Sequence, residues 1–183
     1  MFLTIFFSLL IIGSSGKSSV PCQELKIKDH FVSWGHEKVS QPREIKAIII
    51  HSSYNALGPD SFGINGILDE YKQINVSPHY IIDRDGKIFR LVDDQDVAYH
   101  AGKSRLPDGT INVNNSSIGI EVINTEHDSP TEEQYTSLLN LIECLKNKYP
   151  IKYILGHNDI APGRKSDPWN FDWKKFNVML EDQ

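Results

Sequence analysis

Residues 153–168 read YILGHNDIAPGRKSDP. The apolar run Tyr153-Ile154-Leu155 predicts a short buried strand. His157 then falls at the carboxyl end of that strand, the edge of an α/β sheet where ligands gather. Pro162, Gly163 and Pro168 make the rest a turn-rich loop. Such a loop can fold back and aim Asp167 at the same ion as His157. An imidazole and a carboxylate are good zinc ligands, and a catalytic zinc takes three protein ligands plus water, so a third ligand is needed from elsewhere. A plainer reading stands beside this one. Asp159 or Asp167 would cap a helix, His157 would bond a backbone carbonyl, and Lys165 would be a solvated charge.

The third ligand has an obvious source. Ile45 to Ile50 (IKAIII) predicts a central strand buried on both faces, and it runs into His51. Its plain alternative is a core histidine bonded to Ser52 or Ser53. Ile118 to Ile123 (IGIEVI) alternates, with Ile118, Ile120 and Val122 on one face and Gly119, Glu121 and Ile123 on the other. Glu121 is either the solvent face of an outer strand or a carboxylate at a cleft floor. In the second case burial raises its pKa to a useful value and Gly119 leaves room beside it.

The remaining elements complete a pattern. Ile64, Ile67, Leu68, Tyr71 and Ile74 have helical spacing, though Gly63 and Gly66 weaken it. Tyr80-Ile81-Ile82 and Ile88 to Leu91 flank Arg84-Asp85-Gly86-Lys87, a tight hairpin turn. Tyr99 to Asn115 is a long polar loop carrying His100, Lys103 and Arg105. Thr131 to Tyr149 is a helix with Tyr135, Leu138, Leu139, Ile142 and Leu145 as its buried stripe. A capping box of Ser129 and Glu132, with Pro130 at the first helical position, is expected to start it, and Pro150 stops it. Asp172 to Phe176 closes the chain as a short helix. The order strand, helix, hairpin, strand, helix, strand, loop predicts an α/β fold, a mixed central β-sheet flanked by helices.

The chain has 183 residues, suited to one domain with a sizeable core. A net charge of -5 argues against a nucleic-acid partner. Phe2 to Ile12 is apolar but for Thr4 and Ser8, too short to span a bilayer and suited to a signal peptide over residues 1–16. Residues 17–42 are expected to be a tether or a wrap, and 43–183 the functional domain. The protein is therefore expected to be exported, to the periplasm or beyond, and to be a monomer. Of the two cysteines, Cys144 is expected as a buried free thiol, and a disulfide with Cys22 stays open. Lipidation of Cys22, with attachment to an outer membrane, is a minor alternative.

Five pieces, IIIHSS, VSPHYIIDRDGKI, AYHAGKS, NNSSIGIEVIN and GHNDIAPGRKSDP, followed by FDW, occur in this order. Together they resemble the zinc-dependent N-acetylmuramoyl-L-alanine amidases of the amidase-2 type, whose fold is shared with T7-type lysozyme and the peptidoglycan recognition proteins. The resemblance covers Ile45 to about Phe176. It implies a Zn2+ cofactor held by His51, His157 and Asp167, with Glu121 and Lys165 as the catalytic pair. It implies a peptidoglycan or muropeptide substrate, contacted by His79 and His100. Two departures stand out. Pro78 replaces a tyrosine of the T7-type enzymes, and Trp169-Asn170 stand where the family continues Asp-Pro with Gly-Pro. The rival readings are a recognition protein that binds peptidoglycan without cutting it, the same amidase used as an endolysin or toxin, and a structural zinc site with four protein ligands.

Overall fold

A computed structural model describes residues 22–182; the expected signal peptide lies outside them. The centre is a six-stranded sheet in the order β1-β5-β4-β7-β3-β8. Its strands are β1 (Ile27–Asp29), β3 (Ala47–Ser53), β4 (Tyr80–Ile82), β5 (Ile88–Arg90), β7 (Ser117–Ile123) and β8 (Tyr153–Gly156). All neighbours are parallel except the β4–β5 hairpin. The mixed sheet is thus the one expected, and the hairpin accounts for its single antiparallel pair. Gly86 takes a φ of +77° in the turn, and a Cβ there would meet the Glu133 carbonyl oxygen at 2.7 Å. Only glycine fits both demands.

Period-two alternation sorts the side chains of the central strands onto two faces. Ile48 and Ile50 of β3 and Ile118, Ile120 and Val122 of β7 face one way. They pack against α2 (Glu132–Lys148) and α4 (Trp173–Glu181) through Leu138, Leu139, Ile142 and Phe176. The opposite face is covered in two separate patches. Ile67 and Leu68 of α1 (Ile64–Gln73) cover Ile81, Phe89 and Ile123. Leu106, Val113 and Ile160 cover Ala47 and Ile49. Between these patches the carboxyl ends of β3 and β7 are left for a cleft. Glu121 therefore lies on a central strand, between β4 and β3, and not on an outer one.

Helix α2 begins later than expected. Thr131, not Ser129, is the N-cap. Its hydroxyl accepts the Gln134 N–H at 3.1 Å, and Gln134 Oε1 accepts the Thr131 N–H at 3.0 Å. This box wins because Gln134 is also needed below it. Its amide donates to the carbonyls of Ile82 and Ile123, tying the helix start to the ends of β4 and β7. A box on Ser129 and Glu132 offers no such link.

The described part of the segment before residue 43 wraps onto the domain. β1 forms the sheet edge beside β5, and β2 (His36–Glu37) pairs with β6 (Val97–Ala98). Cys22 and Cys144 form a disulfide, with Cα atoms 5.3 Å apart. This corrects two expectations. Cys144 is not a free thiol, and a Cys22 sulfur bonded to Cys144 has no valence left for a lipid thioether. The reason is the wrap itself, which carries Leu25 and Ile27 onto the α2 face of the core and brings Cys22 to the last turns of that helix. The bridge closes a loop of 122 residues, so its removal frees much chain entropy in the unfolded state. Cys144→Ser is expected to cost about 2–4 kcal/mol of stability, read by denaturant unfolding, while the unreduced wild type shows no titratable thiol after denaturation.

Candidate metal centre

His51 lies near the carboxyl end of β3, and its partner across the β3–β7 ladder is Glu121. β8 runs alongside β3 and ends at Gly156, so His157 emerges next to His51 at the first position of the short helix α3 (His157–Ile160). Asp159 caps that helix by accepting the Gly156 N–H at 2.7 Å. The loop then returns, and the Asp167 carbonyl accepts the Asn158 N–H at 2.8 Å. The three expected ligands meet. His51 Nδ1 is 3.0 Å from His157 Nδ1 and 3.2 Å from Asp167 Oδ2, and His157 Nδ1 is 3.1 Å from the same oxygen. All three residues are buried.

The hydrogen bonds around these rings decide which nitrogens carry protons. His157 Nε2 faces the Ala101 carbonyl at 3.1 Å and must donate to it, which leaves Nδ1 bare. His51 is set by a longer relay. The Ser117 hydroxyl donates to the Val113 carbonyl at 2.7 Å, so its lone pairs accept Nε2–H of His100 at 3.3 Å. His100 Nδ1 is then bare and accepts Nε2–H of His51 at 3.0 Å. His51 Nδ1 is bare in turn. Two imine lone pairs and a carboxylate oxygen thus converge in a buried space. They repel one another unless a cation lies among them. Burial pushes the His51 pKa down to about 4, so its ring is neutral at pH 7, the form that binds a metal.

Gly119 makes the relay possible. A Cβ at this position would lie 2.4 Å from His100 Cγ, so the imidazole rests directly on the strand backbone. The room left by Gly119 is thus taken by His100. The Asn114 side-chain carbonyl accepts the N–H groups of His100 and Ala101, fixing the loop that supplies both the relay and the Ala101 carbonyl. The Arg164 guanidinium also donates to Ala101, at 2.7 Å.

Glu121 and Lys165 line the same cleft as His51, His157 and Asp167, a cavity of about 280 Å³. Glu121 is 9% exposed, and its Oε2 has no hydrogen-bond partner among the described residues. Burial first, then the Asp167 charge, push its pKa up to about 8, against the opposing pull of Ser53, Tyr71 and Lys165. His100 borders the cleft, but both its nitrogens are committed to the relay. His79 does not fit the expected substrate contact. It is 0% exposed, its Nδ1 accepts the Gly119 N–H at 3.0 Å, and its Nε2 faces the Asp96 carbonyl at 3.2 Å. The reason is its place just before β4, where its main chain also bonds Gly119 and Leu91. Its ring thereby lies under His100 and braces β7.

Residues 41–170 match the N-acetylmuramoyl-L-alanine amidase family. The chain belongs to this family. It is 35% identical over 159 residues to the 1,6-anhydro-N-acetylmuramyl-L-alanine amidase AmpD of Haemophilus influenzae, covering 76% of this chain and 85% of that protein. A crystal structure of an AmpD selenomethionine derivative superposes with a TM-score of 0.73 at 28% identity, covering 84% of this chain and 94% of the other. The Escherichia coli amidase AmiD, in complex with anhydro-N-acetylmuramic acid-L-Ala-D-γ-Glu-L-Lys, superposes with a TM-score of 0.64 at 25% identity, covering 79% of this chain and 65% of that one. By family and fold the chain is an amidase of the amidase-2 type.

The relay is open to test at a residue that is not itself a ligand. His100→Ala removes the acceptor that orients His51 and is expected to weaken divalent-metal affinity by about 10- to 100-fold, measured by competition with a chelator. Unchanged affinity contradicts the assigned proton positions.

Proposed function

We propose that this chain is an exported zinc amidase that hydrolyses the amide between the lactyl group of N-acetylmuramic acid and L-alanine. The observation that carries the reading is the convergence of two bare imidazole nitrogens and one carboxylate oxygen beside a buried carboxylate whose Oε2 has no hydrogen-bond partner among the described residues. A nitrogen-rich set of three protein ligands suits zinc with an open position. Among the described residues no fourth histidine, cysteine or acidic group joins the set, which favours a catalytic over a structural ion. A non-cutting recognition protein does not need a complete ligand set or a carboxylate poised next to it.

When bound, zinc lowers the pKa of its water to about 7 and polarises the carbonyl. His51, His157 and Asp167 would hold it. Glu121 takes a proton from the attacking water and passes it to the leaving nitrogen as the C–N bond breaks, giving an acid and an amine. Its pKa of about 8 belongs to the metal-free site, and a dication alongside pulls the carboxylate back towards ionisation. Lys165 faces the developing oxyanion, a contribution of about 3 kcal/mol for a preorganised group. The substrate of this reading is a muramoyl peptide of the kind bound by AmiD, whether released fragment or cell-wall strand. Use of the same chemistry as an endolysin or toxin leaves every one of these roles unchanged.

Export is supported by the Phe2 to Ile12 run and by the Cys22–Cys144 bridge, since disulfides persist in oxidising compartments. Among the described residues no helix is long and apolar enough to cross a membrane.

Glu121→Gln keeps size and polarity but cannot take the proton. Turnover of a muramoyl peptide is expected to fall by about 10²- to 10⁴-fold, with zinc content unchanged by metal analysis. Near wild-type turnover removes Glu121 from the mechanism. His51→Ala is expected to lose stoichiometric zinc and with it all activity. In the wild type, activity is expected to fall as the medium is acidified, because protons compete for Glu121 and for the ligand nitrogens. A pH–rate profile that stays flat to pH 4 contradicts this.

A further inference from the structure

We propose that Trp169 and Tyr54 form a platform for the sugar ring of the substrate and so fix the direction in which a muramoyl peptide crosses the cleft. This rests on the amidase reading above and adds a binding site to it.

The two rings stand at the cleft rim, Trp169 two residues beyond Asp167 and Tyr54 three beyond His51. Their centroids are 5.9 Å apart at an interplanar angle of 64°, an edge-on pair. Trp169 is held at three points. Its main-chain N–H donates to Ser52 Oγ at 3.2 Å, its carbonyl accepts from Asn124 Nδ2 at 3.0 Å, and its indole N–H donates to Ser166 Oγ at 3.0 Å. The polar edge of the indole is thereby satisfied within the protein. What remains for a ligand is the π surface of a half-buried ring. That surface is negative at its centre and attracts weakly positive C–H groups. The C–H face of a pyranose suits it, and the sugar carries no charge to desolvate.

Charge decides which end of the substrate lies here. Asn170 Nδ2 donates to the main-chain carbonyls of Glu126 and Asp128, which holds the 126–128 loop against the Trp169 flank. The other side of His157 is cationic. Its Nε2 edge and Arg164 share the Ala101 carbonyl, and beyond it Lys103, Arg105 and Arg164 line a second cavity of about 600 Å³. A muramoyl peptide is equally lopsided, with a neutral sugar on one side of the scissile amide and a carboxylate-bearing peptide on the other. The cationic flank attracts the peptide, which leaves the neutral sugar for the Trp169 flank.

The test compares zinc-loaded wild type, Trp169→Ala and Trp169→Phe on a muramoyl tripeptide and on the same tripeptide carrying only a D-lactoyl group. Trp169→Ala is expected to raise KM for the muramoyl compound about three- to tenfold, with kcat little changed and no effect on the lactoyl compound. Trp169→Phe recovers most of the loss. Independently of turnover, N-acetylmuramic acid should change the tryptophan fluorescence of the wild type and not of Trp169→Phe. Equal effects on both substrates, or no effect on the muramoyl one, overturn the proposal. If Trp169→Ala does not fold by thermal melting, the Phe variant and the fluorescence titration decide. If the wild type cleaves neither compound, the amidase reading fails, and the fluorescence titration still decides the sugar site.

Discussion

Three lone pairs face one another in a buried space at the end of β3 and β8, and the molecule is arranged around that fact. Facing acceptors about 3 Å apart are tolerable only with a cation among them. The protein does not leave the proton positions to chance. A serine hydroxyl committed to Val113 orients His100, which orients His51, while the Ala101 carbonyl orients His157. Each link removes one tautomer, so the unprotonated nitrogens are presented before any ion arrives. This is preorganisation: the cost of orienting the ligands is met in folding rather than in binding.

The sheet explains how residues so far apart in sequence arrive together. Parallel pairing puts the carboxyl ends of β7, β3 and β8 side by side, and the in-register pair His51 and Glu121 places the proposed ligand and the proposed base on one face. That face is covered by α1 on one side and by the 99–115 loop with α3 on the other. The cleft is the gap between them. The opposite face is sealed by α2 and α4, and the disulfide fixes the N-terminal wrap to α2. Rigid packing on one face thus supports an open site on the other.

Much of this is legible in the residues, for identifiable reasons. Period-two alternation in IGIEVI marks Glu121 as the one charge on an apolar strand, and Asp-Gly marks the hairpin. Runs such as IKAIII and YIL locate strands whose ends carry the histidines. The relay is not legible in the same way, because two of its members are main-chain carbonyls and every residue has one. Ser117 looks like any strand-initiating serine until His100 is seen resting on Gly119. His79 misleads because a histidine beside a strand reads alike whether it points to the cleft or beneath it. The helix start misleads because two overlapping cap signatures occur, and only the buried contacts of Gln134 choose between them.

Folding alone presents Nδ1 of both histidines to one point in the cleft. Side-chain ¹⁵N NMR of the zinc-loaded protein reads this arrangement, since metal-bound, protonated and bare imidazole nitrogens resonate apart. Metal-bound Nδ1 and protonated Nε2 are expected for His51 and His157 alike, with His100 protonated at Nε2. Zinc on Nε2 of either ligand, or a His100 protonated at Nδ1, would contradict it.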